Sequence, residues 1–465
     1  MNTRVVACYV GMLLVAVLVF AVIGKVGDLL VAPAPAAGQP TFDVSNTDAA
    51  AKPLPHVLLA LVVVILAARA GGLLFRRLGQ PAVIGEMLAG ILLGPSLLGR
   101  VAPQAAAFLL PSSIAPLLSI LAQVGVVLFM FLVGLELDTS TLRERTRSSV
   151  AVSHASITVP FVLGGLLALL LYPRTSTSDV PFLAFALFLA VSMSVTAFPV
   201  LARILMDCGL QKSPLGVIAL ACAAIGDVTA WCLLAVVVGV AKATTGAAVL
   251  TIVLTLAFSA AMLVFVRPRI ARWVKGQSDA QSGSARSMAI VIIGLLLSAL
   301  VTEAIGIHAL FGAFLFGAII PHNSSLAHAA TGKLTDVVVV LFLPLFFAFT
   351  GLRTEIGLVS GFENWMLCAL IILVAVAGKF GGTYVAARLT GLGRHDSAAL
   401  GALMNTRGLM ELVVLNIGLD LRIISPTLFA MMVTMALVTT LLTTPVLHLL
   451  GIAQWRTQTD PVPSR

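Results

Sequence analysis

The chain of 465 residues is 60% hydrophobic and only 10% charged, with a mean hydropathy of +1.10. These values exclude a soluble domain, and without the alternating pattern of roughly ten-residue strands the chain is not an outer-membrane barrel. A net charge of +9 and a pI near 9.8 would suggest nucleic acid in a soluble protein, but here the excess falls on loops between apolar runs, against anionic lipid headgroups, and implies no nucleic-acid role.

The remaining class is an all-α polytopic membrane protein in contact with the lipid bilayer. In chain order the apolar segments are 5–24, 55–75, 81–98, 114–137, 149–172, 181–204, 213–240, 246–266, 286–305, 307–321, 334–352, 364–389, 397–419 and 425–450. Most have the length, about 20 residues, that spans a hydrocarbon core as a helix. Residues 1–24 read either as a signal sequence behind Arg4 or as an extra transmembrane helix. Residues 25–54 form an extracytoplasmic Pro/Ala-rich linker. Residues 55–451 are the working membrane domain of about thirteen helices, and 452–465 are a short tail.

Basic residues set the expected orientation. Arg76 and Arg77, then Arg143, Arg145 and Arg147, then the loop with Arg267, Arg269, Arg272, Lys275 and Arg286, then Arg388 and Arg394 all fall on alternate connections. Positive charge prefers the cytoplasmic side, so the tail is cytoplasmic and the location expected is the cell membrane, multi-pass. The five cysteines show no CxxC or Cys/His pairing and suggest neither a metal site nor a disulfide framework.

An internal repeat underlies this pattern. Residues 84–99 read IGEMLAGILLGPSLLG and residues 311–325 read FGAFLFGAIIPHNSS, each with a five-residue glycine spacing followed by proline. The segments that follow also match, VVLFMFLVGLELDTSTL at 126–142 and VVLFLPLFFAFTGLRTEIGL at 339–358. An offset of seven segments, an odd number, gives the copies opposite orientation in the membrane, a device of secondary transporters. The same offset pairs 181–204, which holds Ser192, Ser194, Thr196 and Pro199, with 397–419, which holds Asn405, Thr406, Arg407 and Gly408. Proline removes a backbone donor, and freed backbone groups in lipid are tolerated only where they line a cavity, so both segments are expected to break at a site. Arg407 is the natural counter-charge for the half-helix ends. Its favoured role is structural, neutralising carbonyl ends or pairing with Glu411, with an expected loss of about 1–3 kcal/mol on removal.

Asp227 lies near the middle of the apolar stretch 213–240, about 20 Å from either end at 1.5 Å per residue, too far for a short carboxylate to reach water. Such an acid reads as a functional site. Glu86, early in its segment near the cytoplasmic side, reads as a capping or solvated residue before an interfacial or gating one, and Gln123, His154 and Glu303 as locally bonded helix residues that could also line cavities.

The strings VIGEMLAGILLGPSLLG (83–99), SVTAFPVLARIL (194–205), ACAAIGDVTAW (221–231) and MNTRGLMELVVLNIGL (404–419) resemble the cation:proton antiporter-2 family, notably plant cation/proton exchangers and bacterial relatives. The resemblance covers roughly residues 55 to 450. It implies a sodium/proton-antiporter fold with a dimerisation domain, hence a homodimer, and a mobile core in which two broken helices cross beside an acid-bearing helix. It makes Asp227 the essential ion-binding aspartate and matches Lys379 to a lysine of some members. Gly226 departs from the pattern, since many relatives place Asp, Asn or Gln there. The short tail leads to the expectation that no nucleotide-binding domain follows.

Burial penalises a bare carboxylate, so proton and monovalent cation, Na+ or K+, can compete for Asp227 and alternate across the membrane without a cofactor. The expected oxygen ligands of that cation are Asp227, the Thr196 hydroxyl, broken-helix carbonyls and Ser194. With Gly226 in place of a second acid, the simplest cycle is one proton for one cation. Two rival classes are a proton-uncoupled channel, or a transporter of another solute, on the same fold and an intramembrane aspartyl protease. The protease would need a second aspartate at membrane depth, and the sequence offers none.

Overall fold

The computed structural model describes residues 3–33, 53–136, 146–210, 213–242, 245–276 and 283–452. Arg143, Arg145, most of the 25–54 linker and the 453–465 tail therefore lie outside the described residues. Among the described residues, ten helices are long and apolar enough to cross a membrane, and three shorter apolar helices accompany them.

Helix occupies each expected segment. The first helices are α1 (Thr3–Gly27), α2 (Pro53–Arg77), α3 (Ala82–Leu93), α4 (Ala115–Glu136) and α5 (Thr146–Thr175). The segment at 181–204 splits into α6 (Phe182–Ser194) and α7 (Phe198–Asp207). Next come α8 (Pro214–Lys242) and α9 (Thr245–Ala261), which runs through a wide π-helical turn, Met262–Val266, into α10 (Arg267–Lys275). Then follow α11 (Ala285–Ile305), α12 (Ala309–Ile319), α13 (Ser325–Val337), α14 (Leu343–Leu352), α15 (Gly361–Val376) and α16 (Gly382–Leu389). The segment at 397–419 splits into α17 (Arg394–Met404) and α18 (Leu409–Asp420), and α19 (Pro426–Leu449) ends the bundle.

One expectation needs correction. The basic stretch Arg267 to Lys275 is helix rather than loop. Ile270, Trp273 and Val274 recur at helical spacing and pack against the core, leaving the Arg and Lys heads to the outer face, so an amphipathic surface helix replaces a loop.

The bundle has two parts. In one, α2, α3, α4, α11, α12 and α14 pack together, with α3 on α14 and α12 on α4. The first helix of each matched sequence block thus packs on the second helix of the other block. The repeated glycines make this possible. Gly90 lies against the Phe347 carbonyl and Gly351 against the Gly90 backbone, while Gly317 lies against the Phe131 carbonyl and Gly134 against the Phe314 carbonyl. Lacking Cβ atoms, these positions let helix backbones approach closely, the usual solution where lipid offers no hydrophobic drive. Gly351→Ala is expected to cost about 1–3 kcal/mol through overpacking against backbone that cannot yield. Gly332→Ala, whose added carbon meets nothing within 4 Å, is the control, and thermal unfolding in detergent checks both.

The other part holds α5 to α8, α15 to α19, with α1 along α5 and α6. In α1, Phe20 packs against Phe161 with ring centroids 5.0 Å apart and the rings tilted by 38°, and Ile23 is buried.

Candidate functional site

Three elements meet at the site: the two broken helices, and α8, which packs on α6, α7 and α17. Residues Val195 to Ala197 separate α6 from α7, with Val195 extended at φ −65° and ψ 138°. Pro199 falls in the first turn of α7, where its missing amide hydrogen costs nothing because that turn has no intrahelical acceptor. Asn405 to Gly408 separate α17 from α18. Gly408 has φ 153°, a conformation that side-chain-bearing residues rarely adopt.

The two breaks are joined to each other. The Ala197 amide donates to the Thr406 carbonyl at 3.1 Å, and the Thr196 hydroxyl donates to the Met404 carbonyl at 3.2 Å. Thr440 of α19 clamps the second break, accepting from the Arg407 amide at 2.9 Å and donating to its carbonyl at 2.7 Å.

The last carbonyls of α6 have no partners within their own helix, and two cations take them. The Arg407 guanidinium donates to the Ser192 carbonyl at 2.9 Å and the Met193 carbonyl at 2.7 Å. Lys379 donates to the Ser194 carbonyl and, at 3.1 Å, to the Ser156 carbonyl. Both side chains are fully buried. The C-terminal end of α6 thus carries two positive charges against its negative dipole end, whereas α17 is capped by the Thr196 hydroxyl. Lys379 rises from a π-helical turn, Ala377–Gly381, between α15 and α16; such turns insert a residue and re-aim a side chain. Arg407 also pairs with the buried Glu411 at 3.0 Å.

Asp227 is 2% exposed, and among the described residues neither carboxylate oxygen has a hydrogen-bond partner. Lys379 and the Phe198 amide at the start of α7 act on it electrostatically. The side-chain oxygen of Asn405, buried at the end of α17, and the Ser192 hydroxyl are likewise without a partner among the described residues. Carboxylate and amide oxygens of this kind, buried and without a partner among the described residues, are the donor type that a hard cation takes.

Of the residues singled out from sequence, Thr196, Thr406, Arg407 and Gly408 come together at the breaks, with Asp227, Asn405 and Lys379 around them. Ser194 differs: its hydroxyl back-bonds to the Ala190 carbonyl at 2.7 Å, and its carbonyl serves Lys379. Ser156 and Thr440 were not anticipated. Their signal was available as hydroxyls at helical spacing on apolar segments, Ser153 with Ser156, and Thr439, Thr440, Thr443 and Thr444, all of them buried.

A separate cavity of about 320 Å³ lies between α4, α14 and α18, lined by Gln123, Glu303, His308, Arg353, Asn416 and Asp420. Arg353 bridges α14 to α18 through Asp420 at 2.6 Å and Asn416 at 3.0 Å. Glu303 and Gln123 both line the cavity and make local bonds, to the Ala309 amide at 2.8 Å and to Ser119 at 3.3 Å respectively.

Comparison with known proteins adds three kinds of likeness. A model of the transmembrane sodium/hydrogen exchanger family matches residues 54–452. The chain is 42% identical over 391 residues to the Na(+)/H(+) antiporter NhaS4 of Synechocystis, covering 84% of this chain and 95% of that protein. It is 39% identical to cation/H(+) antiporter 18 of Arabidopsis thaliana, covering 84% of this chain and 48% of that one. It is 33% identical to K(+)/H(+) antiporter 1 of Saccharomyces cerevisiae, covering 85% and 46%. The chain therefore spans about half the length of these plant and yeast relatives. In fold it resembles the sodium proton antiporter MjNhaP1 of Methanocaldococcus jannaschii, with a TM-score of 0.55 at 13% identity, covering 85% of this chain and 98% of that one.

Proposed function

The chain belongs to the sodium/hydrogen exchanger family, and from that premise we propose that it exchanges a monovalent cation, Na+ or K+, for protons by alternating access, with both substrates competing for Asp227. One observation carries this reading: a buried carboxylate, both of whose oxygens lack a partner among the described residues, on a helix packed against two joined helix breaks.

In this cycle the bare carboxylate is held back by desolvation, which amounts to several kcal/mol for an uncompensated buried charge. Protonation relieves the penalty on one side of the membrane, and a cation held by Asp227, the Asn405 amide oxygen and Thr196 relieves it on the other. Only compensated states cross, which couples the two fluxes. Arg407 and Lys379 hold the C-terminal end of α6 and leave the acid unpaired. The cavity around Arg353 serves as the approach from the side opposite the basic connections, with those connections and the tail cytoplasmic. The membrane domain is 55–451, preceded by α1 as a signal sequence or an additional helix, and the working unit is a homodimer in the cell membrane. The chain is a transporter rather than an enzyme, and the cycle calls for no cofactor.

The test is reconstitution in liposomes with a pH-sensitive dye. Addition of Na+, K+ or Li+ is expected to dequench the dye; cation flux without proton movement would replace the exchanger by a channel. Stoichiometry is read in the same vesicles under a valinomycin-imposed potential. Asp227 has Gly226 beside it and Lys379 bonds to two carbonyls, so one proton is expected per cation and the reversal pH should not move with voltage. A voltage-dependent reversal pH would end the one-for-one cycle and point to Lys379 as a second proton carrier, with Lys379→Gln the mutant to make.

A further inference from the structure

We propose that Thr350, Arg353, Asn416 and Asp420 form a latch between the two parts of the bundle, which opens in every transport cycle and favours the state in which the cavity beside it is accessible. This rests on the exchange function proposed above and deepens it. The cavity is walled by α4, α11, α12 and α14 of one part and by α18 of the other. Its closure therefore requires α18 to move against α14.

On α14 and its C-cap, Thr350 and Arg353 share a face at i and i+3, and on α18 Asn416 and Asp420 share one at i and i+4. The two faces meet. Arg353 divides its guanidinium between the Asn416 amide oxygen at 3.0 Å and the Asp420 carboxylate at 2.6 Å, and lies over the Phe349 ring at 5.5 Å. The Asn416 amide nitrogen donates to the Thr350 hydroxyl at 3.0 Å and to the Leu412 carbonyl of its own helix at 2.9 Å. Among the described residues, three side-chain hydrogen bonds thus cross between these helices, and Asn416 takes part in two of them.

Each half of the latch is fixed to its own part. Behind Arg353, the Ser96 hydroxyl donates to the Thr354 carbonyl at 2.6 Å and accepts from the Ile356 amide at 3.1 Å, and Gly351 lies against the Gly90 backbone. On the other side, Gly418 lies against the Phe188 ring of α6, and Arg407, just before α18, bonds the end of α6. Arg353 therefore moves with the first part and Asn416 with the ion site. Apolar surfaces can slide past one another without losing contact, but a hydrogen bond weakens steeply once its angle is lost. The latch is thus a two-state contact, made in this structure and broken once α18 is displaced along α14.

Weakening the latch is the first test. Thr350→Val removes one crossing bond at a buried residue while leaving the charges of the cavity in place. Apparent affinity on each face of the membrane is the intrinsic affinity scaled by the population of the state open to that face, so the ratio of the two apparent KM values follows the equilibrium between the states. Measured in right-side-out and everted vesicles, the KM of the cavity face over that of the opposite face is expected to rise about 3-fold, the worth of one neutral hydrogen bond. Labelling of Asp420→Cys by an impermeant thiol reagent identifies the cavity face. A ratio equal to that of wild type would overturn the inference.

Locking the latch is the second test, and it decides alone where Thr350→Val does not fold. Arg353→Cys with Asp420→Cys is treated in proteoliposomes with a bis-methanethiosulfonate long enough to join the two thiols, and each single variant receives the same reagent. The single variants carry the bulk of the reagent unlinked and report any effect through the native cysteines. With each rate taken relative to its own untreated rate, exchange by the linked double variant is expected to fall at least ~10-fold below the treated single variants, because a blocked conformational step stops turnover. Dithiothreitol should restore it. A linked double variant that exchanges as the single variants do would overturn the inference, as would two reactive thiols that never join. A wild type without cation-dependent proton flux fails differently, removing the exchange function itself and the latch with it.

Discussion

Asp227→Asn is expected to abolish cation-coupled proton flux while leaving the protein folded. Neither oxygen of the carboxylate is hydrogen-bonded among the described residues, so the substitution removes no described partner and leaves the shape of the side chain nearly unchanged. It does remove the one group on α8 that can take either a proton or a cation. Without a titratable charge there is nothing to desolvate and nothing to compensate, so coupling is lost at its source. Flux should fall to the level of protein-free vesicles, more than ~100-fold below wild type, as expected when several kcal/mol of charge compensation disappears. Unfolding temperature should hold or rise, since a buried unpaired charge becomes a neutral amide. The pair of measurements is dye dequenching in proteoliposomes and thermal unfolding in detergent. Proton-coupled cation flux surviving in a folded Asp227→Asn protein would remove Asp227 from the mechanism.

Arg407→Ala should act on stability first. The sequence alone supported a loss of about 1–3 kcal/mol, typical of a buried polar partner. The structure raises this expectation, because Arg407 and Glu411 are both fully buried and pair at 3.0 Å, and the guanidinium also holds the Ser192 and Met193 carbonyls. Removing it strands a buried acid and two carbonyls together, and breaking such a pair costs about 3–5 kcal/mol. The double variant Arg407→Met with Glu411→Met should be less damaging than the single one, since it leaves no isolated charge. Equilibrium unfolding in mixed micelles reads both. Unchanged stability in Arg407→Ala with transport lost would instead place the guanidinium in the transport chemistry.

The class of protein, its segments and its central acid were legible without coordinates, because each depends on local composition. A bilayer demands apolar runs of fixed length, so the segments at 114–137 and 425–450 come within a residue or two of α4 and α19. A charge in the middle of such a run is rare enough to mark Asp227 by itself. The helix-breaking residues at membrane depth likewise marked both breaks. Chain-local pattern also favoured a structural role for Arg407, since Glu411 lies one helical turn away.

Partners distant in sequence are a different matter. That Arg407 takes the carbonyls of residues 192 and 193 while Lys379 takes that of 194 follows from how α6, α16 and α17 are brought together, and no periodicity carries it. The π-helical turn that aims Lys379 depends on one extra residue in a helix that otherwise reads as continuous. The stretch from Arg267 to Lys275 read as a loop because its charges dominate its composition, and only its packing against the bundle made it helix. The close backbone approach at Gly317 was out of reach of sequence altogether, because a glycine reads the same whether or not a neighbour's backbone fills the place of its missing side chain. A residue's own chemistry travels with its letter, but a close backbone contact or a capped carbonyl belongs to the surfaces that folding brings together.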